Sequence, residues 1–233
     1  MLNPSTFIIK LIFKFLINNL PVGYFKMLKQ VALIALMGLS ASAMAGQWQV
    51  KVGGSVLAPQ NDDNGTLNIA GKAEVSNEIG FTPSVEYFFE NSPLSVEVLL
   101  ATPFTHDVAT EAFGEKTAEF KHLPPTITAK YNFKNSTRFT PYIGVGATVV
   151  VPWDEEIALP GHKLDADVAY GVAGQVGFNF QPADAKNWGV FADVRYAQVE
   201  TDLTLTKPDG TKVDLGELKV NPWVYTVGYS YKF

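Results

Sequence analysis

The sequence predicts an all-β protein, an eight-stranded antiparallel β-barrel that spans a membrane. Apolar residues after residue 45 alternate with small or polar residues over long segments, and a period of two is the side-chain period of a β-strand. In that region no apolar run approaches the roughly 20 residues of a spanning helix, although 47% of the chain is hydrophobic. Aromatic residues collect at the ends of these segments, as in the two aromatic girdles of membrane barrels.

The first 45 residues look like targeting sequence. Lys29 supplies the positively charged n-region of a signal peptide, residues 31–39 form the short apolar h-region, and Ala43-Met44-Ala45 matches a signal-peptidase cleavage site. We therefore assign residues 27–45 to a signal peptide and residues 46–233 to the barrel. Residues 1–26 hold an apolar stretch at 7–20 that is too short to span a bilayer, so we interpret them as a mis-assigned upstream extension. A real membrane anchor is the alternative.

Composition excludes several classes of site. The chain has no cysteine, so it holds neither disulfides nor Cys-based metal sites. After residue 45, 14 basic residues stand against 23 acidic ones. This balance argues against a nucleic-acid partner, because phosphate binding depends on clustered Lys and Arg.

The alternation is clearest in four segments. A soluble sandwich would also alternate, but its aromatic residues would not gather at strand ends and its strands would be nearer the usual 5–6 residues. The apolar faces of the four segments are Trp48, Val50, Val52 and Val56; Tyr170, Val172, Val176, Phe178 and Phe180; Trp188, Val190, Ala192, Val194 and Tyr196; and Trp223, Tyr225, Val227, Tyr229, Tyr231 and Phe233.

Turn signals divide the mature part into eight strands. Compact turns at 90–93, 134–138 and 181–187 should face the periplasm, and long acidic loops at 59–72, 105–122 and 152–166 should face outward. Residues 207–210 form a tight Pro-Asp-Gly turn. Because a sheet edge cannot be left open in lipid, strand one must pair with strand eight. The predicted strands are 47–58, 73–89, 94–104, 123–133, 139–151, 167–180, 188–206 and 212–233.

Several short motifs, in this order and spacing, resemble the outer membrane protein W (OmpW) family over essentially all of 46–233. The resemblance implies an eight-stranded barrel in the outer membrane of Gram-negative bacteria. It also implies passage of small, mainly hydrophobic molecules, and use of some members as phage or toxin receptors. The motifs are Val98-Leu99-Leu100-Ala101-Thr102-Pro103-Phe104-Thr105-His106, His122-Leu123-Pro124-Pro125-Thr126, Pro141-Tyr142-Ile143-Gly144-Val145-Gly146, Gly174-Gln175-Val176-Gly177, Asn221-Pro222-Trp223-Val224-Tyr225 and Tyr231-Lys232-Phe233.

Strand parity predicts a polar network inside the barrel. Opposite charges in so narrow a lumen should pair, because isolated buried charges are costly. One interpretation is a purely structural plug. The other is that the plug closes the axial route, so that an apolar solute leaves sideways through the wall. The residues assigned to the lumen are Lys51, Glu86, Glu97, Lys130, Gln175, Asp193, Arg195 and Lys232.

Two further sets concern the route of a solute. Pro83 inside the second strand and Pro103 near the end of the third each lack an N–H, and we predict a gap in the wall beside Pro83, with a harmless bulge as the alternative. Strand parity and position along the barrel axis also suggest an apolar lining in the outer half of the barrel lumen. It would be formed by Leu57, Leu99, Val150 and Trp153.

The remaining candidates concern assembly and chemistry. The terminal aromatics Tyr229, Tyr231 and Phe233 resemble the signal recognised by the barrel-assembly machinery. His106, His122 and His162 show no metal-ligand spacing, and we interpret them as solvated loop residues. We expect no cofactor and no metal. An enzyme would need His106 and Asp107 beside Thr105 or Ser55, and no catalytic motif supports one.

The resemblance to the OmpW family favours a channel or binding barrel for passive uptake of small hydrophobic solutes. The alternative is a closed structural barrel that acts through its external loops as an adhesin or as a phage or toxin receptor. The expected partners of the protein are outer-membrane lipid, the barrel-assembly machinery and small hydrophobic solutes.

Overall fold

The computed structural model describes residues 46–60, 66–67, 71–112 and 114–233. The predicted extension (1–26) and signal peptide (27–45) lie outside the described residues. In the described part no helix is long and apolar enough to cross a membrane. The strands are β1 (Gly46–Ala58), β2 (Thr66–Leu67), β3 (Gly71–Val75), β4 (Glu78–Phe89), β5 (Leu94–Leu99), β6 (Phe104–Thr110), β7 (Gly114–Leu123), β8 (Thr126–Asn132), β9 (Phe139–Ile157), β10 (Lys163–Ala166), β11 (Ala169–Phe180), β12 (Trp188–Gln198), β13 (Glu200–Thr206), β14 (Lys212–Lys219) and β15 (Trp223–Lys232).

Eight of these strands form a closed antiparallel barrel in the order β1-β4-β5-β8-β9-β11-β12-β15. The last strand returns to the first, with Val50 opposite Tyr231 and Val56 opposite Tyr225. Closure leaves no sheet edge in the barrel, which is the condition for a sheet to lie in lipid. The predicted fold class is confirmed.

The barrel is apolar outside and polar inside. On β15, Val227 and Tyr229 point outward and are 69% and 70% exposed, whereas Thr226 and Ser230 point inward and are buried. Such an arrangement would be unstable in water but suits a barrel surrounded by hydrocarbon. Tyr231 and Phe233 lie on the same outer face, with their ring centroids 5.0 Å apart.

The predicted outer loops at 105–122 and 152–166 are wrong, because most of their sequence forms strands. β6 and β7 form a hairpin within 105–122, and β9 continues through the predicted boundary to Ile157. One sheet extends outward from β9 through β7, β6, β3 and β2, and β10, β13 and β14 form a second. Apolar and polar residues alternate along these strands, and the apolar faces bury a shared core, here called the outer core. Burial of this apolar surface stabilises the ordered hairpins. Its residues are Ala73, Val75, Val108, Ala118, Phe120, Leu164, Leu203, Leu205, Leu215, Leu218 and Val220.

Four predicted strands are interrupted where the barrel gives way to these outer sheets. The segment 73–89 breaks at residues 76–77, 94–104 at 100–103, 188–206 at Val199, and 212–233 at 220–222. The breaks let the chain leave the barrel wall and change partners. The short inner turns lie where predicted, and Gly210, with a φ of 85°, closes the β13–β14 hairpin in the left-handed region that favours glycine.

Candidate functional site

A charged cluster fills the middle of the barrel. Glu86 on β4 lies directly opposite Glu97 on β5, and two lysines neutralise this pair. Lys130 Nζ is 2.9 Å from Glu86 and 3.1 Å from Glu97. Lys51 Nζ is 2.6 Å from Glu86 and 3.6 Å from Glu97. All four side chains are essentially inaccessible to solvent.

The cluster continues across the barrel to β11 and β12. Arg195 Nη2 lies 3.3 Å from Glu97 and 3.2 Å from Asp193. Gln175 Nε2 donates to both carboxylates at 3.2 Å. The hydroxyl of Tyr142 donates to Asp193 at 3.0 Å.

The structure thus brings seven of the predicted lumen residues into one connected group. We call this group the plug: Lys51, Glu86, Glu97, Lys130, Gln175, Asp193 and Arg195. It holds three cations and three carboxylates, and such balance offsets the cost of removing each charge from water. The eighth lumen residue, Lys232, lies apart from the plug near the periplasmic end, with its Nζ 5.3 Å from the ring centroid of Phe88.

Sequence reasoning missed the uncharged members of this arrangement. Ser95 donates to Glu86 at 2.6 Å and Ser84 donates to Glu97 at 2.5 Å. The ring of Tyr142 lies beneath Lys130, 3.7 Å from its Nζ to the centroid. Strand parity places all three inward and could have found them.

An apolar cavity of about 110 Å³ lies on the outer side of the plug. Leu57, Leu99 and Val150, predicted to line the outer half, do line it. Toward the plug its wall includes Thr82, Thr126, Thr148 and Arg195, and toward the exterior it runs into the outer core. We call this space the outer cavity.

The prediction for Trp153 is wrong. Trp153 is buried, but its neighbours Pro152 and Glu155 line the outer cavity instead. Pro152 lies opposite His122 and Trp153 opposite Lys121. Inward positions of β9 up to Pro152 are even-numbered, so Trp153 lies on the face opposite Val150. The inward face changes only after Trp153, at Asp154, which has a φ of 52° close to a register shift on β7, and Glu155 therefore lines the cavity.

The interpretation of His106 and His122 as solvated loop residues is also wrong. Pairing of β6 with β7 places both on the inner face, 0% and 5% exposed, with the rings stacked at 4.9 Å between centroids and 12° between planes. Burial, and then the neighbouring His106, lower the pKa of His122 to about 3. Burial also lowers the pKa of His106, whose Nδ1 donates to the carbonyl of Ser76 at 2.8 Å. His162 alone is partly exposed.

The wall beside Pro83 has an incomplete hydrogen-bond ladder. The Leu100 amide donates to the Pro83 carbonyl at 2.8 Å, but proline has no N–H to return the bond. One step further out, the Phe81 amide donates to the hydroxyl of Thr102 at 3.1 Å in place of a backbone carbonyl. Strand β5 ends at Leu99, so on that side the Leu100 and Thr102 amides, which donate to the Pro83 and Phe81 carbonyls at 2.8 Å, hold this part of β4 in place of a regular strand.

The residues considered for catalysis do not form a group. The Ser55 hydroxyl is bonded to the hydroxyls of Thr82 and Thr226, whereas His106 contacts the Ser76 backbone. Asp107 points away from the lumen, 3.4 Å from Lys116. Among the described residues, no three His, Asp or Glu side chains are placed to hold a metal ion.

Comparison with known proteins supplies the family. The sequence profile of the OmpW family matches residues 44–233. This chain belongs to the OmpW family. Outer membrane protein W of Vibrio cholerae is 33% identical over 200 residues, covering 81% of this chain and 89% of that protein.

Solved structures agree with this assignment. The crystal structure of OprG from Pseudomonas aeruginosa has a TM-score of 0.71 and 27% identity, and the match covers 82% of this chain and 97% of that one. The solution structure of Escherichia coli outer membrane protein W has a TM-score of 0.58 and 29% identity, covering 82% and 99%. The protein is therefore an OmpW-type barrel of the bacterial outer membrane, in contact with its lipid.

Proposed function

We propose that this OmpW-family barrel passively takes small hydrophobic molecules from outside into the outer cavity and releases them sideways through its wall. The observation that carries the proposal is the position of an apolar cavity directly against a closed, charged plug. Apolar walls favour apolar guests. The plug offers such a guest no path along the barrel axis.

The argument against an axial route is energetic. Six charged side chains fill the centre, joined by contacts of 2.6–3.6 Å. Passage of an apolar molecule would have to separate these pairs in a low-dielectric interior, and leaving a buried charge unpaired costs several kcal/mol. Exit through the wall requires only that a few backbone hydrogen bonds open.

The wall beside Pro83 is the proposed exit. It combines a missing amide donor, a side-chain substitute for a ladder bond at Thr102, and the end of β5. On the lumen side Phe104 covers the adjacent Gly80 so closely that a Cβ at Gly80 would lie 2.5 Å from the Phe104 ring. Phe104 also lines the outer cavity, so its ring lies between the cavity and the wall at Gly80.

The test is uptake of an apolar fluorescent probe by cells that carry the gene, a deletion, or one of two variants. Pro83→Val restores an N–H that can return the bond to Leu100 and should reduce uptake toward the level of the deletion. Phe104→Ala should increase it. Val52→Ala, on the outer face opposite Pro83, is the control and should change little.

Two results would contradict the proposal. If uptake in the deletion strain equals that of the parent, the barrel is not a conduit. If amide exchange beside Pro83 is as slow as in neighbouring strands and Pro83→Val leaves uptake unaltered, the exit is elsewhere.

A second candidate function is that of a closed barrel acting through its outer surface. The observation that favours it is the outer core, which orders strands that would otherwise be mobile loops and so presents a fixed surface for a phage, toxin or host molecule. Absence of planar-bilayer conductance together with unchanged uptake in the deletion strain would favour this function over the first.

A further inference from the structure

Arg195 marks the point where the plug meets the outer cavity. Among the seven plug residues it is the one that lines the cavity. Glu155 and Asp167, the other charged residues of the lining, are not buried, whereas the side chain of Arg195 is only 7% exposed. Among the residues that the structure describes, a molecule in the outer cavity therefore meets one buried charge, and that charge is a guanidinium.

The guanidinium is only partly satisfied. Its Nη2 donates to Glu97 and Asp193, but its Nε and Nη1 are buried and have no acceptor among the described residues. Buried donors are normally paired, and an unpaired one calls for an explanation. The neighbouring threonines do not supply an acceptor: Thr126 and Thr148 bond to each other at 3.0 Å, and Thr82 bonds to Ser55.

We propose that Arg195 is a headgroup subsite, and that the solute of this barrel is an apolar molecule with one uncharged oxygen acceptor, a ketone, ester or alcohol, at its end. This inference rests on the proposed function and names the class of solute. The oxygen accepts from one of the free guanidinium donors, Nε–H or Nη1–H, and the hydrocarbon part lies along the Leu57, Leu99 and Val150 side of the cavity.

The charge balance of the plug excludes an anionic headgroup from the proposal. Glu97 and Asp193 already lie 3.3 Å and 3.2 Å from Arg195, and the three cations of the plug are matched by three carboxylates. A carboxylate on the solute would place a fourth negative charge beside two others in a low-dielectric site. An uncharged acceptor satisfies one of the free donors without that repulsion.

The first test compares three probes of similar length on the mature barrel in lipid nanodiscs: 2-octanone, nonane and octanoate. Methyl resonances of Leu57 and Leu99 report occupancy of the cavity, and the Nε–H resonance of Arg195 reports the hydrogen bond. We expect 2-octanone to bind on the order of tenfold more tightly than nonane at equal mole fraction in the bilayer, since bonds to charged donors have about that worth. We also expect it alone to shift the Arg195 resonance.

The outcomes separate this inference from the proposed function. If nonane shifts the cavity methyls and 2-octanone binds no more tightly, the headgroup subsite is wrong and the conduit stands. If octanoate binds most tightly, the uncharged class is wrong. If none of the probes shifts the methyls, the conduit itself is wrong.

Variants test the role of Arg195 independently. Because Arg195→Gln alone leaves Glu97 and Asp193 without their partner, it is combined with Asp193→Asn, which keeps two cations against two carboxylates. The double variant should bind nonane as before and lose the preference for 2-octanone. Asp193→Asn alone gives the plug a positive excess and should bind octanoate more tightly than the parent does; an unchanged affinity would overturn the charge argument.

Discussion

Removing the charge of Glu97 should destabilise the barrel more than any other single isosteric change. Glu97 is the most connected carboxylate of the plug, since Lys130, Arg195 and Gln175 all donate to it. In Glu97→Gln the side chain keeps its shape, but three buried cations are left with two carboxylates. Breaking a buried pair by removing one partner costs about 3–5 kcal/mol, and we expect a loss of that size in the free energy of unfolding.

The assay is reversible unfolding by denaturant in short-chain lipid vesicles, followed by tryptophan fluorescence. The matched control is Glu200→Gln. It removes a 3.8 Å ion pair between Glu200 on β13 and Lys219 on β14, whose side chains are partly exposed. Exposed pairs contribute about 0–1 kcal/mol, so the control should unfold nearly as the parent does. The same Glu97 variant should also show raised ion conductance in a planar bilayer, since a loosened plug admits water.

A loss below about 1 kcal/mol in Glu97→Gln, equal to that of the control, would refute this reasoning. It would mean that water or lipid already shields the plug, and that the short contacts do not describe its energetics.

Other perturbations test the remaining parts of the account. Burial lowers the pKa of His122 to about 3, below the roughly 6.5 of an unfolded histidine, so protonation favours opening. As the pH is lowered from roughly 6.5 to 3, protonation of His122 should reduce the free energy of opening the β6–β7 hairpin by about 1.4 kcal/mol per pH unit. Amide exchange corrected for the intrinsic rate measures this free energy, and His122→Phe should remove the part of the slope that His122 contributes. Gly177→Ala places a Cβ 2.6 Å from the Ala192 carbonyl oxygen and the Asp193 Cβ, and 2.8 Å from the Tyr142 ring. It should cost about 1–3 kcal/mol by overpacking, measured by the same unfolding assay; an unchanged midpoint would show that the backbones of β11 and β12 can separate there. Val227→Arg on the lipid face should cost about 2–4 kcal/mol, whereas Thr211→Arg at an exposed hairpin should cost almost nothing; equal costs would place Val227 outside the hydrocarbon.

The barrel could be predicted from the sequence because its signal is local. Each spanning strand alternates by itself, as on β15 from Trp223 to Tyr231, and the lipid on one side and the narrow lumen on the other impose the same rule on every strand. Parity then identified the charged plug residues, since a charge on the inner face of an eight-stranded barrel has nowhere else to go.

The outer region could not be predicted in the same way, because long-range pairing decides it. His106 and His122 are buried only because β6 pairs with β7 in one register, and an acidic, turn-rich sequence does not reveal that register. The error at Trp153 has a different cause. Trp153 is three residues from Val150 and therefore lies on the other face of β9, so regular parity already argued against the assignment. The left-handed backbone of Asp154 changes the inward positions only beyond Trp153.

The lumen sites could be predicted in part, less fully than the barrel strands but better than the outer region. Parity placed Leu57, Leu99 and Val150 on the cavity wall, and it placed Arg195 in the lumen. That two of the nitrogens of Arg195 lack an acceptor depends on the positions of its neighbours in space, which the sequence does not carry.

The proposed path of the solute can be tested most directly by locating an apolar molecule inside the barrel. Crystals grown from a lipid mesophase would be soaked with 1-bromooctane and the bromine found by anomalous scattering. We predict bromine density in the outer cavity between Leu57, Leu99 and Val150, and none between the plug and the periplasmic end. Bromine on the periplasmic side of Lys130, or on the lipid face alone, would contradict an outer cavity that receives apolar solutes above a closed plug.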